Sequence, residues 1–339
     1  MLFSLFYFTA DSGQGTDGAE YRLLMDGARF ADEHDFTAVW TPERHFHRFG
    51  GLYPNPSVTS AAVAAVTRRV SIRAGSVVLP LHHPVRLVEE WAVVDRLSRG
   101  RVGLSLAPGA NPTDFLLSGA DYGQRKAQTV AGIDVLRKLW SGQPYHDPRR
   151  DVDVTVLPRP VQPTLPLWLT CGGSEQTFVD AGRAGTGVLT HLMSQSHQVL
   201  RDNLARYRDN FVSVAGTRPH VTLMVHAFVG ESDEAARDVA TEPLADYLVD
   251  AMGMLTDNDR LDPARARLAV RSAVQRYLSA DGLIGSVATC AQRVAEFAEL
   301  GVDELACLLD FGIADQTVLD GLARLDLVRQ RTSNPAFSR

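Results

Sequence analysis

The sequence predicts an α/β fold, a single (β/α)8 TIM barrel. Three observations predict it: apolar runs alternate with amphipathic helical stretches along the chain, the runs are apolar on both faces, and there are eight of them. A length of 339 residues would also accommodate two average domains, but barrels run beyond the usual domain size. A doubly wound open sheet is the competing arrangement of the same units.

The first strand is the apolar start, residues 2–8. A helix over 19–34 leads through His34 and Asp35 into a second strand, 36–40. Helical 57–67 then passes Arg68 and Arg69 into the third strand, 70–79, and helix 85–98 ends at Arg99-Gly100 before the fourth, 101–106. Helix 124–140 is followed by a proline-rich excursion, 142–166, and the fifth strand, 167–170. Helices 175–184, 195–213 and 287–300 feed strands 187–190, 221–229 and 304–309. One departure is long: between the seventh strand and the last helix–strand unit, 230–284 reads as helical throughout, with Pro243, Asp257-Asn258 and Gly282 as breaks. A helical insertion there suits a lid or substrate-recognition element, and equally a packing buttress or dimer surface. The domain reading is one barrel, 1–330, carrying the insertion 230–284, with a C-terminal tail over 331–339.

Composition sets the class. The chain is 45% hydrophobic and 22% charged, as folded globular proteins are. Lys and Arg total 34 against 40 Asp and Glu, a net charge of −6, and no basic run exceeds Pro148-Arg149-Arg150. Nucleic acid is therefore not an expected partner. Three scattered cysteines, Cys171, Cys290 and Cys307, fit neither a disulfide framework nor a zinc site. The start lacks the basic residues and cleavage site of a secretory signal, and no apolar run reaches the roughly 18 residues of a membrane span. A soluble, cytoplasmic protein is expected.

Barrel chemistry sits at the C-terminal strand ends, so the residues just after each strand are the candidates. After the second strand, Thr41-Pro-Glu-Arg-His-Phe-His47 offers one carboxylate, Glu43, and two imidazoles, with His45 the candidate for proton transfer. A metal is not expected, since facial triads draw on more distributed ligands. At the third strand's tip, Gly75 and Ser76 are small enough for a flat ligand to approach the backbone, although tight packing explains them equally well. After the fifth strand, Gly172, Gly173, Ser174 and Thr177 form a glycine turn entering a helix, a ready anion site.

Three stretches carry a family resemblance: Trp40 to Pro56, Gly75 to Arg86, and Leu97 to Gly103. They resemble the hallmark segments of the luciferase-like monooxygenases, in the branch found beside nonribosomal-peptide and polyketide assembly lines. The resemblance implies FMN as cofactor, supplied as FMNH2 by a separate flavin reductase. It implies a C4a-hydroperoxide that inserts one oxygen atom into a natural-product intermediate, a small molecule free or tethered to a carrier protein, and a homodimer. It puts Gly75–Ser76 at a non-proline cis peptide under the flavin, Ala107 among the cofactor contacts, Glu43 and His45 beside the ring, and the Gly172 to Thr177 turn at the phosphate. Two positions depart from the pattern. Arg44 stands where the luciferases have a catalytic histidine, and Pro108-Gly-Ala-Asn111 replaces a Gly-Trp-His-Pro stretch, which makes Asn111 a third catalytic candidate. A deazaflavin-dependent oxidoreductase and a non-catalytic partner subunit are the alternatives on the same barrel.

Overall fold

A computed structural model describes residues 1–8, 19–148, 150–256 and 263–333. Eight parallel strands close into a ring: β1 (Leu2–Phe6), β2 (Ala38–Thr41), β3 (Ser71–Val78) and β4 (Val102–Ala107) lie side by side in that order. A two-stranded antiparallel hairpin, β5 (Tyr145–Asp147) with β6 (Val152–Val154), stands apart before the ring resumes with β7 (Leu167–Cys171), β8 (Gly187–His191) and β9 (Val221–Val229). After the short β10 (Leu283–Gly285), β11 (Glu304–Leu308) pairs with both β9 and β1 and closes the barrel. The competing open sheet is thereby excluded.

Helices α1 (Arg22–Glu33), α2 (Pro56–Val66), α3 (Pro84–Ser98), α4 (Arg125–Ser141), α5 (Glu175–Arg183) and α6 (His197–Asp209) cross between the ring strands. Their ends follow local rules. Asn55 caps α2 by accepting from the Ser57 and Val58 amides, with Pro56 at the first helical position. Helix α3 stops where Arg99 and Gly100 turn left-handed, at φ 61° and 86°, and donate back to Arg96 and Asp95 carbonyls. The proline-rich excursion is pinned by the buried Asp95, whose carboxylate accepts from the Val161 and Gln162 amides at 2.6 and 3.0 Å.

After β9 come α7 (Asp233–Thr256), α8 (Pro263–Arg276), a π-helical turn over Tyr277–Asp281 and β10, then α9 (Val287–Glu299) and, past β11, α10 (Asp315–Ser333). The 230–284 segment, read as helical throughout, thus ends in a strand, while its break at Asp257-Asn258 lies outside the described residues. So do residues 334–339 of the expected tail. Among the described residues no helix is long and apolar enough to cross a membrane.

The lower half of the barrel interior is polar and is built around a buried ion pair. The Arg73 guanidinium lies between the rings of Trp40 and Trp168, 4.9 and 4.5 Å from their centroids, and donates to both oxygens of the buried Glu304 at 3.0 and 2.9 Å. Ser4 and His220 complete the Glu304 shell at 2.6 and 3.0 Å. Burial alone would push the Glu304 carboxyl up, but the Arg73 charge and these bonds hold it down to about 2.

Candidate active site

At the opposite end, where the strands finish, the polar groups are arranged around Glu43. This side chain follows β2 and is buried; its Oε1 accepts from His45 Nε2 at 2.9 Å and His82 Nε2 at 2.8 Å, and its Oε2 from the Val78 amide at 2.7 Å. One carboxylate therefore ties the loop after β2 to the end of β3 and to the residues just beyond it. Burial would raise its carboxyl, but the His45, His82 and Val78 bonds bring it below the usual range. For His82 burial works the other way and is overcome by the Glu43 bond and charge, so this imidazole is raised. The signs set a window. Glu43 stabilises the fold above its unfolded pKa of about 4.3 and ceases to do so as pH falls through its lower folded value. The His82 contribution is complete below about 6.5 and fades as pH rises through its folded value.

Beneath this cluster β3 carries a cis peptide at Gly75–Ser76, two residues before its end at Val78. A methyl group on Gly75 would lie 2.5 Å from Phe6 Cε2 and 3.2 Å from Trp40 Cε3, so only glycine lets the Phe6 ring stand so close. The Ser76 hydroxyl meets Thr170 Oγ1 of β7, which is also 2.8 Å from Ser105 Oγ of β4. Three hydroxyls thus span three adjacent strands. Ala107, the last residue of β4, is half-buried at the same end.

Past β7, Gly173 has φ +117° and Ser174 caps α5 without spending its side chain on the helix. The turn is open: built-on methyl groups at Gly172 and Gly173 meet nothing closer than 3.7 and 3.5 Å. Thr177 is one turn into the helix, its amide returning to the Ser174 carbonyl at 3.0 Å. His191, at the end of β8, faces this turn. Its Nδ1 accepts from the Met193 amide at 3.2 Å, so the neutral ring carries its proton on Nε2, which would lie 3.7 Å from a methyl on Gly172. Burial, aided by the Arg44 charge, takes His191 down to about 4.

Asn111 follows β4 and makes a local bond. Its side-chain oxygen accepts from the Thr113 amide at 3.0 Å and so caps the 3-10 turn Pro112–Leu117. This turn buries Phe115 and Asp114; among the described residues the Asp114 Oδ1 has no hydrogen-bond partner, and its carboxyl is raised by burial against the pull of His45 and Arg44. Arg44 covers the Phe8 ring at 3.9 Å. Burial lowers it to about 10. The structure therefore brings Glu43, His45, Gly75 and Ser76 together, sets the Gly172 to Thr177 turn at the same barrel end, and adds His82, Asp114 and His191, which the sequence reading did not single out. His191 was within reach of the rule used, since it directly follows the predicted strand 187–190.

The chain is similar to known proteins. Over 96% of its length the chain is 26% identical to 93% of the flavin-dependent trigonelline monooxygenase, oxygenase component, of Acinetobacter baylyi. It is 25% identical, over 81% of this chain and 76% of the other, to the 4-hydroxyprotoasukamycin monooxygenase of Streptomyces nodosus subsp. asukaensis. Its fold matches the oxygenating constituent of 3,6-diketocamphane monooxygenase from Pseudomonas putida, a type II Baeyer–Villiger monooxygenase solved in complex with FMN. That match has a TM-score of 0.74 and 18% identity, covering 97% of this chain and 96% of that one. Residues 1–304 match the family described as luciferase-like monooxygenase, and the chain belongs to that family.

Proposed function

We propose that the protein is an FMNH2-dependent monooxygenase that tailors a natural-product intermediate, free or tethered to a carrier protein. The observation that carries this reading is the placement of the Glu43, His45 and His82 cluster against Val78 at the end of β3, two residues beyond the Gly75–Ser76 peptide. A flat, polar ring system needs both a floor without side chains and nearby proton donors. Reduced FMN would supply two electrons to oxygen, so that one oxygen atom enters the substrate and the other leaves as water.

The residues present fit that cofactor. Gly75 and Ser76 would lie under the ring with Ala107 at its side, and Gly172, Gly173, Ser174 and Thr177 would hold the phosphate at the N-terminus of α5. The unspent Ser174 hydroxyl and the His191 Nε2–H are the added donors. Glu43 orients His45, and His45 moves the proton; Asn111 serves by holding the turn that presents Asp114. The name of the Acinetobacter relative, an oxygenase component, supports a separate reductase that delivers the reduced flavin.

Titration with FMN, FMNH2 and a deazaflavin, followed by absorbance, tests the assignment. Saturable binding of FMNH2 is expected, and preference for a deazaflavin would overturn it. Ser174→Asp places like charge against the phosphate and is expected to weaken FMN binding by about tenfold or more. Unchanged affinity would put the phosphate elsewhere.

We further propose a homodimer. Val58 on α2, with Val93 and Leu97 on the adjacent α3, are apolar and exposed, a surface that a two-fold contact would cover. Light scattering at micromolar concentration is expected to give twice the chain mass, and Val58→Glu to reduce it to one chain. A single-chain mass for the wild type would refute the dimer.

A further inference from the structure

We propose that His226 and Tyr247 form a recognition site for the oxygen acceptor, and that the acceptor is an uncharged, largely apolar molecule carrying a hydroxyl or carbonyl group. The inference rests on the monooxygenase reading above and names the substrate class of that same barrel end.

Strand register fixes where His226 points. Thr222 pairs with Glu304, whose side chain lies in the barrel interior, and side chains alternate along a strand, so Met224 and His226 face the interior as well. His226 is opposite Leu308, the last residue of β11, and two residues beyond Met224, which is opposite His191 at the end of β8. The imidazole is thus buried at the end of the ring where the strands finish. Tyr247, from α7, closes over it edge to face with ring centroids 4.7 Å apart. Tyr277 at 4.9 Å and Phe311 at 5.4 Å complete the walls around His226, while Phe49 packs 4.9 Å from Tyr247.

Inside this aromatic box the polar atoms are unpaired. His226 is 0% exposed and Tyr247 1%, yet among the described residues neither imidazole nitrogen nor the Tyr247 hydroxyl has a hydrogen-bond partner. Buried polar groups are nearly always paired, and leaving them unpaired costs stability, so three such atoms on two touching rings call for a ligand. Their chemistry selects it. A neutral imidazole offers one donor and one acceptor, and a phenol offers both, which together match a hydroxyl or carbonyl oxygen.

Charge selects against an ion. Burial, with the His191 charge adding to it, takes His226 down to about 3, and burial raises Tyr247 well above its ordinary value, so both are uncharged near neutrality. The charged groups that act on Tyr247, Arg44 and Asp310, are of opposite sign and give an ionised ligand no net counter-charge. The insertion therefore supplies a hydrogen-bonding contact to the acceptor, not only a cover.

The test is calorimetric titration of the full chain, with and without added FMN, with three probes of one shape: 2-naphthol, naphthalene and 2-naphthoate. 2-Naphthol is expected to bind at least about tenfold more tightly than either of the others, because a site built to bond a hydroxyl rejects the analogue lacking it. Tyr247→Phe and His226→Phe are expected to abolish that preference while leaving naphthalene affinity unchanged, which also shows that the variants are folded. Equal affinities in the wild type, tightest binding of 2-naphthoate, no binding of any probe, or variants that keep the preference would each overturn the proposal. Separate FMN titrations keep the two readings apart. Absence of flavin binding with the naphthol preference intact removes the monooxygenase reading alone, whereas flavin binding without the preference removes only the recognition site.

Discussion

Arg73→Met is expected to destabilise the barrel by about 3–5 kcal/mol, because it strands a carboxylate in the interior without its counter-ion. Glu304 is 0% exposed and takes both oxygens' worth of bonding from Arg73. The measurement is urea unfolding followed by circular dichroism. The double variant Arg73→Met/Glu304→Leu is expected to recover much of the loss, since apolar replacement of a whole buried pair is often neutral. An unchanged midpoint for Arg73→Met would mean that the Trp40 and Trp168 rings, not the ion pair, hold this layer. The pH profile follows from the same group. Its folded pKa, about 2, lies below the usual 4.5, so the carboxylate contributes stability above pH about 5 that is lost as pH falls toward 2. That contribution is roughly 3 kcal/mol, and Glu304→Gln should lack this part of the acid sensitivity.

The largest expected effect on chemistry is at His45. Its Nε2 donates to Glu43, and the Glu43 carboxylate is fixed in turn by His82 and the Val78 amide, so the imidazole is oriented by a group that cannot itself swing. Proton transfer by a positioned side chain is worth about 100-fold or more, and His45→Ala is expected to slow flavin reoxidation by that factor in stopped-flow mixing of FMNH2 with oxygen. Asn111→His should change the same time course far less, because the Asn111 oxygen is committed to the Thr113 amide. Coincident traces for wild type and His45→Ala would remove His45 from the mechanism.

What could be read from the sequence follows from how each element is buried. The eight ring strands were legible because strands covered on both sides become continuous apolar runs; the second, expected over 36–40, forms over Ala38–Thr41. The hairpin of β5 and β6 was not, since its six residues are exposed or half-exposed and mix His and Asp with Val and Tyr. Strand β10 is three residues long, too short to show a strand's pattern even though Gly282 breaks the helical one just before it. Glu43 and His45 stood out as a polar loop directly after a strand, where barrel chemistry gathers. His226 did not, because one histidine within Val221–Val229 reads as an ordinary core residue until its unpaired nitrogens are known. The Arg73–Glu304 pair joins residues 231 positions apart, and no local pattern announces such a partner.

Strand β9 serves two structures with separate parts of its length. Residues from Val221 to His226 bond β8 and β11, whereas Ala227 to Val229 bond β10. The ring has ended on either side by that point, at His191 and Leu308, so the last three residues project as a tenon above the rim. On this projection the chain between Gly230 and Gly282 is mounted. Shortening, lengthening or exchanging α7 and α8 alters what hangs from the tenon and leaves every pairing of the ring in register. The part of the molecule proposed to meet the acceptor can thus change without moving the ring strands proposed to receive the flavin.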